Sequence, residues 1–172
     1  MSQERPAAFD FAGAKTTLVG PELRAGDRAP DFEATDQGLK TVSLADTAGK
    51  VRIFAAVPSL DTGVCDTEGR RFNLEVGKLG DSVACYIISM DLPFAQKRWC
   101  GAADANNVKT LSDHRSGSFG QAYGALQKEN RFLSRAVFVV DSGDRVTYAE
   151  YLPAAGQQPN YEAVIEAAKA AR

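Results

Sequence analysis

Apolar residues gather in three compact runs, Val51–Val57, Val83–Ser89 and Ala136–Val140. The first is β-branched at its ends and apolar except for Arg52. It predicts a strand buried on both faces, as in a sheet with parallel members. The other two predict further strands. Between the first two runs, Phe72, Val76 and Leu79 recur at i, i+4 and i+7, which predicts a helix from about Cys65 to Leu79. Pro58 ends the first strand, and Ser59, Asp61 and Thr62 are candidate N-caps for that helix.

Weaker patterns fill the rest of the chain. Phe9–Phe11 and Thr16–Val19 flank Gly13 and predict an N-terminal hairpin. Residues Gly26–Phe32 are rich in turn formers, and Thr41–Leu44 reads as a short strand. Pro93 opens a helical stretch reaching about Cys100. Val108–Leu111 predicts a short strand and Ser118–Tyr123 a short helix. The turn Asp141-Ser142-Gly143-Asp144 joins the third apolar run to a strand at Val146–Tyr151. Tyr161, Val164, Ile165 and Ala168 share one face of a closing helix over Asn160–Ala171. Alternating strands and helices define an α/β class, a mixed central sheet with helices on both faces. Periodicity leaves the strand order open. There is no repeat, low-complexity tract or linker, so residues 1–172 read as a single domain.

Composition narrows the class. A chain of 172 residues is long enough to bury roughly 70% of its unfolded surface. Hydrophobic residues make up 44% and charged residues 24%, with a formal net charge of −2. That balance argues against a nucleic-acid or acidic-membrane partner held by bulk charge. No stretch approaches the roughly 18 apolar residues of a membrane span. Met1–Asp10 lacks the apolar core of a secretory signal. The expectation is a cytoplasmic protein.

The candidate chemistry lies in three cysteines, Cys65, Cys85 and Cys100. An odd count does not describe a static disulfide scaffold. A zinc site is not expected, because these residues and the lone His114 lack the paired spacing of zinc ligands. Cys85 lies within a predicted buried strand and reads as core. Cys65 falls where a buried strand gives way to a helix, and helix starts stabilise a thiolate, the reactive form of the residue. A helix end contributes only about 0.3–1 kcal/mol. Lowering an ordinary thiol from about 8.5 to about 6 takes roughly 3.4 kcal/mol. A cation and hydrogen bonds must supply the remainder. Thr62 shares the turn with Cys65 and offers a hydroxyl. Spacing does not choose among Arg70, Arg71, Arg131 and Arg135 as the cation. Asp66 and Glu68 place negative charge beside the sulfur, which opposes its ionisation. Gly69 weakens the early helix by roughly 1 kcal/mol relative to Ala.

Pro58-Ser59-Leu60-Asp61-Thr62-Gly63-Val64-Cys65 resembles the peroxiredoxin pattern P-x-x-x-T-x-x-C. With Arg70, Phe72 and Asn73 it is similar to the thiol peroxidase subgroup. Ala29-Pro30-Asp31-Phe32, Ser89–Gln96 with Trp99-Cys100-Gly101, and Arg135–Asp141 resemble further family stretches in the same order. Gly69 departs from the subgroup, which tends to have an apolar residue there. The resemblance covers almost the whole chain. It implies a thioredoxin-like fold and reduction of hydrogen peroxide and organic hydroperoxides, without cofactor or metal. It also implies Cys65 as the peroxide-attacking residue, passing through a sulfenic acid. Cys100 is implied as the resolving cysteine that closes an intrachain disulfide, and thioredoxin as the reductant. It implies that Thr62 and Arg135 hold the thiolate and polarise the peroxide, that Pro58 shields the sulfur, and that the assembly is a homodimer.

Competing readings are a papain-type pairing of His114 with a cysteine, a peroxide-responsive sensor, and a thiol–disulfide oxidoreductase on the same fold. The last would normally carry C-x-x-C, and the residue three after Cys65 is Glu68. A disulfide needs Cα atoms within about 7 Å, while Cys65 must also sit in a protected pocket. The expectation is therefore that the start of the first helix and Phe94–Gly101 rearrange on oxidation.

Overall fold

The structure is a computed structural model and describes residues 2–171. The chain opens with strands β1 (Glu4–Phe11) and β2 (Ala14–Val19), paired antiparallel. Their two-residue connection places Ala12 and Gly13 at φ +54° and +84°. Both angles belong to the mirror-image turns that match strand twist. Asp10 stabilises the turn by accepting from the Gly13 amide at 2.9 Å. Two short strands follow, β3 (Glu33–Thr35) and β4 (Thr41–Ser43), then a single 3₁₀ turn at Ala45–Thr47.

The three apolar runs form β5 (Val51–Ala56), β6 (Val83–Ser89) and β9 (Ala136–Val140). Helix α1 (Gly63–Gly77) links β5 to β6, and α2 (Pro93–Ala103) links β6 to β7 (Lys109–Ser112). Helix α3 (Ser118–Ala122) and the two-residue β8 (Leu126–Gln127) precede β9. Strand β10 (Val146–Tyr151) and helix α4 (Tyr161–Ala170) close the chain. The main sheet has the order β10-β9-β5-β6-β7-β3-β4. Strands β5, β6 and β7 run parallel, and the other pairings are antiparallel.

The predicted α/β class and N-terminal hairpin are present, with shifted boundaries. Helix α1 starts two residues before Cys65, and α2 runs on past Cys100 to a left-handed Asp104 cap at φ +51°. Strands β3 and β8 were not predicted. β8 is two residues long and exists through its pairing with β2, which no local period can announce.

Central burial explains the apolar runs. On β5, Phe54 and Ala56 join an aromatic cluster with Phe32, Tyr86, Phe119, Tyr123 and Phe138. Ile53, Ala55 and Val57 join the opposite cluster, with Phe72 of α1, Trp99 of α2 and Val164 of α4. Arg52 is tolerated in this strand because its Nη2 donates to Asp144 Oδ1 at 2.7 Å and to the Asp141 carbonyl at 2.6 Å. A buried guanidinium without such partners would cost several kcal/mol. The register Ala56↔Ala136 brings the C-terminal end of β5 beside the N-terminal end of β9. Pro58 leaves the sheet at that corner and Arg135 enters it.

Candidate active site

Cys65 lies in the first turn of α1 and is fully buried. Its neighbour in charge is Arg135, 1% exposed, whose Nη2 donates to Cys65 Sγ at 3.2 Å. The guanidinium is held on its other sides. Nε and Nη2 donate to the Ala155 carbonyl at 3.1 and 2.7 Å, and Nη1 donates to Glu68 Oε2. Burial works against the guanidinium charge, but Glu68 and the Cys65 sulfur outweigh it and hold Arg135 protonated above its ordinary value. The other candidate cations go elsewhere. Arg70 pairs with Asp66 and Arg71 with Glu75, both on the helix surface. Arg131 sits at φ +63° in the loop after β8, with its charge acting on Asp113.

Pro58 is buried two residues past the end of β5. Thr62 is the N-cap of α1, with extended backbone at φ −101° and ψ 150°. Its hydroxyl makes no capping bond. It donates to the Ser59 carbonyl at 2.8 Å, closing the loop rather than reaching the sulfur. Ser59 and Asp61 likewise do not cap the helix.

Asp91 was missed as an organiser of this loop. Its carboxylate accepts from Ser59 Oγ at 2.7 Å, the Leu60 amide at 2.9 Å and Ser89 Oγ at 2.7 Å. It thus ties the segment before Cys65 to the end of β6. The signal available in the sequence was an acidic residue two positions after a buried strand.

The two acids flagged beside Cys65 separate in space. Asp66 turns outward, accepting from Arg70 and from Trp99 Nε1 at 2.8 Å. Glu68 turns inward, is fully buried and pairs with Arg135. Burial raises its carboxyl to about 7 despite the opposing Arg135 charge. Gly69 carries a different meaning from a weak helix turn. A Cβ there would lie 2.6 Å from Trp99 Cη2, so the missing side chain is the seat of the indole.

Cys100 has other surroundings. It is half-buried in α2, and its sulfur accepts from Gln37 Nε2 at 3.3 Å. Burial pushes its thiol up, partly offset by Thr110 and Gln37. It borders an open cavity of about 650 Å³ lined by Asp36, Lys97, Lys109 and Thr110 among others. Cys65, Cys85 and Cys100 are all free thiols. Cys85 is buried in β6, and burial raises its thiol strongly. His114 shares a hydrogen bond with Ser112 at 2.7 Å, not with a cysteine. Among the described residues no cluster of His, Cys, Asp or Glu is suited to a metal ion.

A cysteine at a strand-to-helix corner, faced by an arginine from the neighbouring strand of a mixed sheet, defines a thioredoxin-like protein of the cysteine-peroxidase class. Residues 24–165 match the Redoxin family. The thiol peroxidase of Bacillus subtilis is 56% identical over 164 residues, covering 95% of this chain and 98% of that protein. Among solved structures, a peroxiredoxin-like protein from Aquifex aeolicus superposes with a TM-score of 0.87 at 37% identity, covering 97% of this chain and 99% of its own. A thiol peroxidase from Chromobacterium violaceum, 20% identical, shares the fold with a TM-score of 0.83 over 92% of this chain and 93% of its own. The chain belongs to the redoxin family and, by its full-length relatives, to the thiol peroxidase group of the peroxiredoxins.

Proposed function

We propose that this thiol-dependent peroxidase reduces hydrogen peroxide and organic hydroperoxides with Cys65 as its nucleophile. The observation that carries the assignment is the 3.2 Å contact from Arg135 Nη2 to the buried Cys65 sulfur. A fixed cation there favours the thiolate and lies beside the charge that develops as the O–O bond breaks. The thiolate attacks the terminal peroxide oxygen. The S–O bond forms, the O–O bond breaks, and hydroxide or alkoxide leaves and takes a proton. Cys65 becomes a sulfenic acid. Full ionisation would gain only about thirtyfold over an ordinary thiol at neutral pH. A larger acceleration falls to Arg135, a transition-state contribution.

Cys100 is the proposed resolving thiol. Its sulfur attacks the sulfenic sulfur, water leaves, and a Cys65–Cys100 disulfide forms. In the reduced structure the two sulfurs have separate partners, Arg135 for one and Gln37 for the other. The first turn of α1 and the turn of α2 that carries Trp99 and Cys100 therefore have to loosen for the bond to close. Reduction by thioredoxin, a homodimer and a cytoplasmic location are proposed on the family resemblance. The Pro58 and Thr62 roles also rest on it. In the reduced state Thr62 supports the loop, and its oxygen lone pairs are left for a substrate hydrogen.

The test is Cys65→Ser in a peroxide-consumption assay with thioredoxin, its reductase and NADPH. Turnover is expected to vanish. Substantial steady-state activity in this variant would overturn the assignment.

A further inference from the structure

One guanidinium serves two buried acids. Arg135 reaches Cys65 Sγ through Nη2 and Glu68 Oε2 through Nη1, and its remaining contacts go to a carbonyl. Cys65 and Glu68 are both fully buried, and Glu68 Oε1 has no hydrogen-bond partner among the described residues. If sulfur and carboxyl were both ionised, this buried site would carry a net negative charge. An uncompensated buried charge is strongly unfavourable. One proton shared between the two acids makes the site neutral.

We propose that Glu68 is a positioning residue that stores this proton, so that the reactive state is a Cys65 thiolate and a Glu68 carboxylic acid around a single guanidinium. The inference rests on Cys65 being the nucleophile. It accounts for the proton that peroxide reduction consumes. Cys65 thiolate, Glu68 acid and ROOH become Cys65 sulfenic acid, Glu68 carboxylate and ROH. The sulfur is oxidised by two electrons and the O–O bond is reduced. The proton that Glu68 gives up offsets the one that the departing alkoxide takes, without contact between Glu68 and the substrate. As the sulfur loses its negative charge the carboxyl gains one, so Arg135 always faces one anion.

The groups around Glu68 favour this proton. Burial is the largest influence, and Glu150 on β10 opposes a second negative charge. Glu150 is itself fixed by the Tyr148 hydroxyl at 2.7 Å. Cys85 on β6 and Tyr161 on α4 are both pushed up by burial and then by Glu68, so they stay neutral beside it. Arg135 on β9 is the opposing cation. With the folded carboxyl at about 7, ionisation of Glu68 above that pH draws the guanidinium from the sulfur.

The test is the rate of the first reaction with hydrogen peroxide, measured in single turnover against pH. For the unaltered protein the rate is expected to fall about tenfold, or ~1.4 kcal/mol, between about pH 6 and pH 9. In Glu68→Gln, which keeps an acceptor for Arg135 but cannot ionise, this fall should disappear. A superimposable profile, or equal loss of activity at every pH, would overturn the proposal by leaving Glu68 a merely structural partner. Infrared difference spectra of the unaltered protein give a readout that needs no variant. One equivalent of peroxide should convert a protonated carboxyl band into a carboxylate band, and no such conversion would overturn the proposal equally. Cys65→Ser decides the nucleophile separately, so the two failures are distinguishable.

Discussion

The two proposed redox cysteines sit in opposite kinds of surroundings. Cys65 is sealed in the core, and the arginine facing it is clamped by Glu68 and the Ala155 carbonyl. The loop before it is tied down by Asp91. Cys100 is half-buried at the rim of an open cavity, where its sulfur meets the Gln37 amide and the Thr110 hydroxyl. Its helix is joined to α1 by the Trp99 indole, through one hydrogen bond to Asp66 and a seat over Gly69. The first environment suits a reaction that needs one geometry at the moment of bond breaking. The second suits a thiol that has to travel, since switching elements are drawn from regions of low local stability.

The sharpest way to break this comparison is Cys100→Ser. Steady-state turnover with thioredoxin should be lost, while the first reaction of Cys65 with peroxide stays within about twofold, because Cys100 takes no part in the transition state. Peptide mapping of the oxidised protein should find Cys65 linked to Cys100 and Cys85 free. Hydrogen exchange should quicken around residues 62–70 and 94–101. A confirmed disulfide with unchanged exchange would mean that the two environments do not differ in mobility.

Arg135→Ala tests the sealed side. kcat/KM should fall at least ~100-fold, the size typical of losing one charge-stabilising donor. Raising the pH should not restore it. Full recovery at high pH would confine Arg135 to thiolate formation. The variant also strands Glu68 without its cation, which costs about 3–5 kcal/mol if the carboxyl stays ionised. Adding Glu68→Gln should recover thermal stability without recovering activity.

The smallest expected effect sharpens the mobile side. By helix propensity Gly69→Ala should stabilise α1 by up to about 1 kcal/mol. In the folded protein the new methyl group would meet the Trp99 ring at 2.6 Å, and overpacking of this kind costs roughly 1–3 kcal/mol. A net loss of stability is expected in urea denaturation. Fluorescence of Trp99, the sole tryptophan, should show a displaced indole, and disulfide closure should be faster. An unperturbed indole with slower closure would show that Trp99 does not hold the two helices together.

The N-terminal hairpin, strands β5, β6 and β9 and helix α4 were legible because each reports its own burial through local pattern. Phe9–Phe11 and Thr16–Val19 on either side of Gly13, the apolar run at Val51–Val57 and the spacing of Val164, Ile165 and Ala168 needed no knowledge of their neighbours. The segment Pro58–Cys65 likewise carried its chemistry in contiguous residues. Asp66 and Glu68 looked alike as charges near a thiol. They lie two positions apart on a helix, roughly 200° around its axis, so one meets solvent and Trp99 while the other meets Arg135. Which of four arginines faces the sulfur was settled by the antiparallel pairing of β5 with β9, a match between distant segments. Gly69 read as a weak point until the indole of Trp99 was found on it. Thus the sequence by itself determined most of the elements, the candidate nucleophile and the class of chemistry. Only the tertiary structure decided which charges share the buried site and what fills the space beside a missing side chain, because both depend on strand register and helix rotation rather than on any local run of residues.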